Sequence, residues 1–302
     1  MATDWIASYL AMTATAKEKT VTETKNNRCV IIGADSYLFA GLAPYLKGTE
    51  LSYMTFDSWD ESANLKILKD ADSVINFSIH PDFSSKKMAE DEIVDVRIAE
   101  KLRDSKANFI FFSSRKVYGT SAELVTYRET DKLNPFDFYS ENKAATEKKL
   151  RDILGDRLSV LRVPNVIGEP VLRRGYKTFM GWITESMLKN GKLYADQAKE
   201  TKKDFITKDF LHKTLSFFVG NNVYGTYNVS AGFPVTMDFL LTKLAGEGNV
   251  VFEQNASVKE QFVLDNSKLL SRTGLKISMR DIENGAQKFN GMLMKMKGKD
   301  NA

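Results

Sequence analysis

A tyrosine and a lysine separated by one helical turn are the residues of this chain best suited to chemistry. Tyr139 and Lys143 form a Y-x-x-x-K pattern at the start of a predicted helix, and residues four apart lie on one helix face. An ammonium group near a phenol stabilises the phenolate and lowers the tyrosine pKa. The pattern therefore predicts a tyrosine that exchanges a proton with a substrate hydroxyl or carbonyl near neutral pH.

A serine at the end of a strand is the expected third member of this set. The run FIFFSSRKVYG (109–119) predicts a strand that ends at Ser113 and Ser114, and Ser114 precedes Tyr139 by 25 residues. A hydroxyl at a strand's carboxyl edge can hydrogen-bond the same substrate oxygen as the tyrosine. Capping of the strand end is the alternative role for both serines, and Tyr118 equally suits packing.

A glycine turn after the first predicted strand is the candidate site for a dinucleotide pyrophosphate. Such a turn combines small residues with a helix N-terminus, which offers free N–H groups and a positive dipole end. Only Gly33 of a G-x-x-G-x-x-G pattern is present, because serine and phenylalanine hold the other two places. An ordinary glycine turn is the alternative. The residues assigned to the cofactor in this turn are Gly33, Asp35, Ser36, Tyr37 and Leu38.

Two residues on the following strands complete the predicted cofactor set. Asp57 ends the second predicted strand (51–57), 24 positions after Gly33. A carboxylate there can accept hydrogen bonds from both adenosine ribose hydroxyls and repels a 2′-phosphate, so NAD(H) is favoured over NADP(H). Ser78 lies near the end of the third predicted strand (73–79) and is assigned to the same site.

Alternating strands and helices must position these residues. Short apolar runs predict five strands, and the segments between them have helical spacing, including 36–46 with Leu38, Leu42 and Leu46. This order predicts an α/β fold of the Rossmann type, a doubly wound parallel sheet covered on both faces. The predicted strands are 29–32, 51–57, 73–79, 108–114 and 158–164, and the main helices are 64–71, 88–105 and 138–154.

The alternation weakens after about residue 167, which predicts a smaller C-terminal substrate-binding region. Its predicted elements are helices at 179–191, 236–246 and 264–275, the last ending at Gly274, and a strand at 225–230. We therefore divide the chain into an N-terminal arm (1–28), an NAD-binding Rossmann domain (29–166 plus about 203–230) and a substrate-binding region (167–202 and 231–302).

Composition limits the classes of function. The net charge is +4 over 302 residues, too weak for a nucleic-acid-binding stripe. Cys29 is the one cysteine, and two histidines accompany it. A His/Cys metal site and a disulfide are therefore not expected. The single cysteine fits a reducing, cytoplasmic compartment, and the weak net charge argues against a nucleic-acid partner. No apolar stretch approaches the roughly 20 residues of a membrane span, so we expect no membrane partner.

Seven segments in order resemble the extended short-chain dehydrogenases, the NAD-dependent epimerase/dehydratase family. They lie between about residues 29 and 276: IIGADSYLF, Asp57, FFSSRKVYG, Tyr139-x-x-x-Lys143-x-x-x-Glu147, LRVPNVIG, KDFITKDF and GTYNVSAGFPVT. The resemblance implies that Ser114, Tyr139 and Lys143 form the catalytic set, and that Lys143 also binds the nicotinamide ribose. It implies a nucleotide-sugar substrate and a homodimer formed through the two long helices.

The same resemblance implies where the substrate binds. Asn165, in LRVPNVIG, stands at the nucleotide-sugar site. Lys203 replaces the family's usual arginine, which meets the substrate diphosphate, and lysine keeps the charge but loses the bidentate fork. In the 171–177 loop, Arg173 and Lys177 are candidates for a phosphate clamp, with a solvated loop as the alternative.

Three reactions divide the family. Dehydratases commonly carry an Asp-Glu pair where this chain has Arg115 and Lys116, so dehydration is disfavoured. A 4-epimerase or a 4-ketoreductase needs only Ser114, Tyr139, Lys143 and the cofactor, and the compact substrate region slightly favours the reductase. Two alternatives stay open: a non-catalytic dinucleotide-binding sensor or scaffold, and a reductase of a non-sugar carbonyl.

Overall fold

The computed structural model describes residues 27–171 and 178–300, with side chains through residue 297. Almost all of the N-terminal arm lies outside the described residues. Arg173 and Lys177, the candidates for a phosphate clamp, also lie outside them.

Six parallel strands form the central sheet. They are β1 (Asn27–Ile32), β2 (Thr49–Met54), β3 (Ser73–Asn76), β4 (Asn108–Ser114), β6 (Leu158–Val163) and β11 (Gly225–Asn228). Their spatial order is β2-β1-β3-β4-β6-β11, and every neighbouring pair is parallel. The order reverses between β1 and β3, which makes their carboxyl ends the topological switch point where α/β sheets bind ligands. The predicted Rossmann-type fold is confirmed.

Helices cover both faces of the sheet. One face carries α1 (Ser62–Asp70), α2 (Val94–Leu102) and α3 (Phe138–Leu154), whereas the other carries α5 (Lys208–Asn221) and α7 (Ser267–Thr273). Alternate residues of β1 point to opposite faces. Val30 and Ile32 pack into the first core, and Cys29 and Ile31 into the second. Burial on both sides explains why the strands are continuous apolar runs.

The predicted helix over 36–46 is wrong. Residues 34–41 form consecutive turns, followed only by a short 3₁₀ turn at Ala43–Tyr45. Gly41 has φ +87, outside the helical region. Pro44 lacks an N–H, and its ring would clash with the carbonyl four residues earlier in a helix. The spacing of the leucines reflects burial of Leu42 and Leu46 rather than helical periodicity.

Other predicted elements have different bounds in the structure. The second strand ends at Met54, so Asp57 lies three residues beyond it, and the third strand ends at Asn76. The long helix predicted over 88–105 begins only at Val94, after a 3₁₀ turn at Glu90–Glu92. By contrast, β4 and α3 have the predicted bounds.

The C-terminal part has its own core of three helices and small sheets. The helices are α4 (Phe179–Asn190), α6 (Met237–Ala245) and α8 (Met279–Asp300). The small sheets consist of β5 (Val125–Tyr127), β7 (Asn165–Ile167), β8 (Leu193–Ala195), β9 (Lys202–Lys203), β10 (Phe205–Thr207), β12 (Val235–Thr236), β13 (Val250–Phe252) and β14 (Phe262–Leu264), of which β5 comes from the chain before α3. α7 ends at Thr273 and is capped by Gly274, at φ +68, as predicted, but it begins at Ser267 rather than at residue 264, which belongs to β14. The division into two domains stays a prediction.

Within residues 27–171 and 178–300, no helix is both long and apolar enough to cross a membrane. Over the same residues, no cluster of histidine, cysteine and carboxylate side chains could hold a metal ion. Cys29 is buried, and its burial raises its pKa to about 12.

Candidate active site

The carboxyl end of β4 and the first turn of α3 bring the predicted catalytic residues together. Asp137 caps α3 by accepting the Ser140 N–H at 2.8 Å, which fixes the start of the helix at Phe138. Ser113 donates to Glu147 at 2.5 Å inside the core. Ser114 is therefore the serine of this strand end that faces the site.

Ser114 and Tyr139 are neighbours, because hydrogen bonding from the Ser114 side chain acts to lower the Tyr139 pKa. The Ser114 hydroxyl also accepts the Lys116 N–H at 3.2 Å, which leaves its own proton for the tyrosine or a substrate oxygen. The two side chains thus lie near each other at the carboxyl edge of the sheet. This is the arrangement expected of a pair that would hold a single substrate oxygen.

The Tyr139 phenol is protonated at neutral pH in this structure. Burial raises its pKa to about 12, while the Ser114 hydrogen bond and the charge of Arg115 act in the opposite direction. Lys143 was expected to make the phenol acidic, but here desolvation outweighs the lowering effects. The phenol is in the form that donates a proton.

Lys143 lies in an aromatic cage beneath the tyrosine. Its ammonium donates to the Phe112 carbonyl at 2.7 Å and lies 4.6 Å from the centroid of the Phe111 ring. The Phe83 ring is 5.1 Å away and the Tyr139 ring 5.9 Å away. Burial lowers the Lys143 pKa. The lysine and the tyrosine are neighbours, and the catalytic role of the lysine stays a prediction.

A buried carboxyl group beside Lys143 escaped the sequence reasoning. Asp95, in the first turn of α2, is 5% exposed and accepts a hydrogen bond from the Asn76 amide at 2.8 Å. Burial raises its pKa, and the Lys143 charge opposes that rise. The sequence did contain a signal for this residue, because an acid between the apolar residues Val94 and Val96 stands where a buried side chain is expected. Charged residues are rarely buried without a partner.

In the predicted cofactor turn, Gly33 is the residue whose surroundings fit a phosphate-bearing ligand. Gly33 has φ +76, and a Cβ atom on it would lie 2.4 Å from the Ser78 hydroxyl. Glycine is therefore required there. The Ser78 hydroxyl is buried and has no hydrogen-bond partner among the described residues. A close-packed glycine beside an unpaired hydroxyl, at the switch point of the sheet, suits the approach of a dinucleotide.

The rest of that turn differs from the expected helix N-terminus. Its N–H groups serve the turn itself, since Ser36 donates to the Gly33 carbonyl at 3.0 Å and Leu38 to the Ser36 hydroxyl at 3.3 Å. The Tyr37 carbonyl accepts from Lys208 at 3.1 Å. Phe39 packs edge-on against Phe77 at 5.9 Å. A pyrophosphate here would meet loop N–H groups without a helix dipole behind them.

The acidic residues expected at the cofactor site are exposed. Asp35 lies in the turn after Gly33, and Asp57 follows β2 by three residues; both are accessible to solvent. Asp57 is at the carboxyl side of the sheet, where an adenosine ribose would lie. Its contact with a ribose stays a prediction.

Asn165 and Lys203 lie at the predicted substrate side. β4 and β6 pair Ser114 with Val163, so Asn165 follows two residues beyond at the same sheet edge. Lys203 is 15% exposed, and its ammonium lies 3.4 Å from a Glu260 carboxylate oxygen. The other Glu260 oxygen pairs with Arg115. The sequence did not predict Glu260 at this site, because no fixed spacing relates it to Arg115 or Lys203.

A second ion pair, Arg162 with Glu147, is part of the core. Its side chains are 5% and 3% exposed, and two hydrogen bonds of 3.0 and 2.6 Å join them. The arginine also donates to the Tyr118 hydroxyl at 2.9 Å, and that hydroxyl donates to Asn228 at 2.7 Å. Tyr118 is thus a structural residue that connects β6 to β11.

Two cavities lie away from Tyr139. One of about 70 Å³ is bounded by Gly168, Glu169, Lys208 and Lys288, among others. The other, of about 230 Å³, lies beside Arg28, Glu50 and Asp70 near the opposite end of the sheet. The chemistry of Ser114, Tyr139 and Lys143, rather than cavity size, identifies the candidate site.

Solved structures with this fold include enzymes of two kinds. A UDP-N-acetylglucosamine 4-epimerase from Methanobrevibacter ruminantium M1, in complex with UDP-N-acetylmuramic acid, is 18% identical at a TM-score of 0.72 and covers 90% of this chain and 100% of its own. A UDP-glucuronic acid 4-epimerase from Bacillus cereus in complex with NAD is 16% identical at a TM-score of 0.71, and the match covers 89% of this chain and 99% of that one. A dTDP-4-dehydrorhamnose reductase from Yersinia enterocolitica is 15% identical at a TM-score of 0.67, and the match covers 89% of this chain and 100% of that one. At these identities the likeness establishes the fold.

Sequence comparison establishes the family. No curated protein sequence matches the chain. The family model described as "NAD dependent epimerase/dehydratase family" matches residues 5–212, which is more than half of the chain. The chain therefore belongs to the NAD-dependent epimerase/dehydratase family.

Proposed function

We propose that this protein is an NAD(H)-dependent oxidoreductase that acts on a nucleotide sugar, as a 4-ketoreductase or a 4-epimerase. The observation that carries the proposal is the proximity of Tyr139 and Lys143, whose ammonium lies 5.9 Å from the Tyr139 ring centroid, at the carboxyl end of β4, where Ser114 acts on the tyrosine pKa. A dinucleotide-binding scaffold would need none of these three side chains.

The proposed proton chemistry belongs to Tyr139. A substrate oxygen held between the two hydroxyls would receive the phenolic proton as a carbonyl is reduced, and would return it as a hydroxyl is oxidised. Ser114 would orient that oxygen, and the ammonium of Lys143 would stabilise the phenolate left behind. The nicotinamide would supply or accept the hydride.

The residues proposed to hold the dinucleotide lie at the switch point. Gly33 and the unpaired Ser78 hydroxyl would face the phosphates, with the loop from Asp35 to Leu38 beside them. Asp57 would accept the ribose hydroxyls, which favours NAD(H) over NADP(H).

A non-catalytic dinucleotide sensor is the second candidate. It is supported by the turns at residues 34–41, which replace the helix expected after the glycine turn. In that case the protein would bind NAD(H) without turning over a sugar.

Calorimetric titration with NADH and NADPH, followed by NADH consumption with 4-keto sugars of UDP, dTDP, GDP and CDP, tests the proposal. We expect tighter binding of NADH and oxidation of it by at least one 4-keto sugar. Tight binding of NADH together with indifference to all four nucleotides, as competitors and as substrates, would replace the proposal with the sensor or with a reductase of a non-sugar carbonyl. Interconversion of UDP-sugar 4-epimers without net NADH consumption would indicate the epimerase.

A further inference from the structure

Arg115 and Lys203 form a cluster with more positive than negative charge beside the catalytic serine. Arg115 directly follows Ser114 and is 10% exposed, and Lys203 on β9 is 15% exposed. Both cations contact Glu260, whose side chain is also 15% exposed. Two cations thus share one carboxylate in a site that is largely removed from water.

The charge balance distinguishes this cluster from the structural ion pair of the core. Arg162 and Glu147 balance one charge with one charge in a bidentate geometry. Two nearly buried cations facing one anion leave an uncompensated charge, which is costly away from water. Two other acids of this region form their ion pairs elsewhere, Asp196 with Lys259 and Asp137 with Lys116, although the charge of Asp196 also acts on Lys203.

The two cations are fixed, and the carboxylate is carried by a coil segment. The Arg115 guanidinium lies 4.5 Å from the centroid of the Phe262 ring and donates to the Gly119 carbonyl at 3.5 Å. Lys203 is held in register with Phe262 by the pairing of β9 with β14. Glu260 lies in the coil 253–261 between β13 and β14. A ligand anion could therefore replace Glu260 without moving either cation.

The cluster lies beside the reacting centre. Arg115 is adjacent in sequence to Ser114, and its charge acts on the Tyr139 hydroxyl. Planar carboxylates suit the fork of an arginine, with a lysine as the second positive charge.

We propose that Arg115 and Lys203 form an anion subsite that takes a carboxylate carried by the sugar of the substrate, for which Glu260 stands in when the substrate is absent. This rests on the proposed function and narrows its substrate class to acidic nucleotide sugars. A diphosphate oxygen offers similar chemistry, and the experiment separates the two sources.

Binding of three ligands by calorimetry separates these sources. UDP-glucuronate and UDP-glucose differ by a carboxylate in place of a hydroxymethyl group, and UDP lacks the sugar; GDP-mannuronate, GDP-mannose and GDP repeat the comparison on a second base. We expect the uronate to bind about tenfold more tightly than its neutral partner, the gain of one charge-assisted contact.

Point variants test which residues cause the tighter binding of the uronate. Arg115→Gln should remove it, Arg115→Lys should keep part of it, and Glu260→Gln should increase it by removing the internal competitor. Arg103→Gln, in an exposed ion pair with Glu100, should leave the preference unchanged. Thermal unfolding of each variant identifies any that does not fold, and Glu260→Gln and Arg115→Lys keep the test decisive if Arg115→Gln fails.

Two results overturn the subsite. One is equal affinity of the wild type for a uronate and its neutral partner. The other is an equal loss for UDP, the neutral sugar and the uronate in Arg115→Gln, which would assign the arginine to the diphosphate. Binding of neutral nucleotide sugars without a carboxylate preference would overturn the subsite and leave the proposed function standing. Absence of binding by every nucleotide would overturn both.

Discussion

At the scale of single residues, burial raises the pKa of Tyr139, the tyrosine proposed as the proton donor. The Y-x-x-x-K spacing predicts an acidic phenol, but the structure places Tyr139 and Lys143 together in surroundings poor in water. Desolvation raises the tyrosine pKa to about 12 and lowers that of the lysine. Both shifts favour the neutral side chain, because a low dielectric penalises every charged form.

The protonated phenol predicts the pH dependence of keto reduction. A proton donor is active below its pKa, and the free enzyme's pKa governs kcat/KM. We therefore expect kcat/KM for a 4-keto sugar to stay flat between about pH 7 and about pH 10, as far as this group determines it. Steady-state rates across that range check the prediction. A tenfold fall per pH unit beginning near pH 8 would show that the phenol is far more acidic than the structure indicates.

The sequence was sufficient to predict the residues adjacent in a motif, but not those brought together by folding. Ser114 and Tyr139 lie at one edge of the sheet because a strand and the next helix on its face bring them there, and their catalytic roles stay a prediction. Asp95 and Glu260 were not found. The former comes from another helix and the latter from a coil after β13, so no fixed spacing relates either to the motif.

At the scale of elements, the segment after β1 shows where local sequence overrides the family pattern. Gly41 and Pro44 prevent a helix. The turns that replace it are stabilised by contacts with residues elsewhere in the chain. Tyr37 packs beneath Lys208, whose ammonium lies 4.7 Å from the ring centroid. Helical spacing alone could not reveal this, because buried leucines also occur at such intervals in turns.

Gly168 is predicted to be necessary for this packing. A Cβ atom at this position would lie 2.4 Å from the Tyr37 hydroxyl and 3.2 Å from Lys208 Cδ. Gly168→Ala should lower the free energy of unfolding by about 1–3 kcal/mol, the usual cost of overpacking, and should weaken NADH binding. Denaturant unfolding and calorimetry measure the two effects.

Gly220 provides the matched control, because it lies in α5 and an added methyl group would have no atom within 4 Å among the described residues. Gly220→Ala should be neutral or stabilising by up to about 1 kcal/mol, as alanine is the better helix former. An equal effect of both alanines on stability and on NADH binding would contradict the proposed role of Gly168.

At the scale of the whole molecule, buried polar contacts connect the sheet to the C-terminal part. Arg162 on β6 contacts Glu147 on α3, the Tyr118 hydroxyl and the Glu129 carbonyl at 3.0 Å. Asn228 extends the contacts to the Tyr127 and Asp265 carbonyls, both at 3.1 Å. The alternation of apolar runs predicted the sheet, but not these connections or α8. The predicted homodimer and cytoplasmic location stay predictions.

Loss of one partner of the core ion pair should destabilise the whole fold. Arg162→Leu leaves Glu147 buried and unpaired, which costs about 3–5 kcal/mol. The double variant Arg162→Leu/Glu147→Leu should recover much of that loss, because no charge remains buried. Arg103→Leu, which breaks an exposed pair with Glu100, should cost less than about 1 kcal/mol. Denaturant unfolding measures all three, and similar costs for Arg162→Leu and Arg103→Leu would contradict the structural role of the buried pair.

The decisive measurement is turnover of a 4-keto nucleotide sugar by Tyr139→Phe, alongside its affinity for NADH. Tyr194→Phe is the control, since that tyrosine is 59% exposed. If Tyr139 is the proton donor, Tyr139→Phe binds NADH as the wild type does and loses at least about a hundredfold in kcat, while Tyr194→Phe keeps wild-type turnover. Unchanged turnover in Tyr139→Phe would contradict the assignment of Tyr139 as the proton donor.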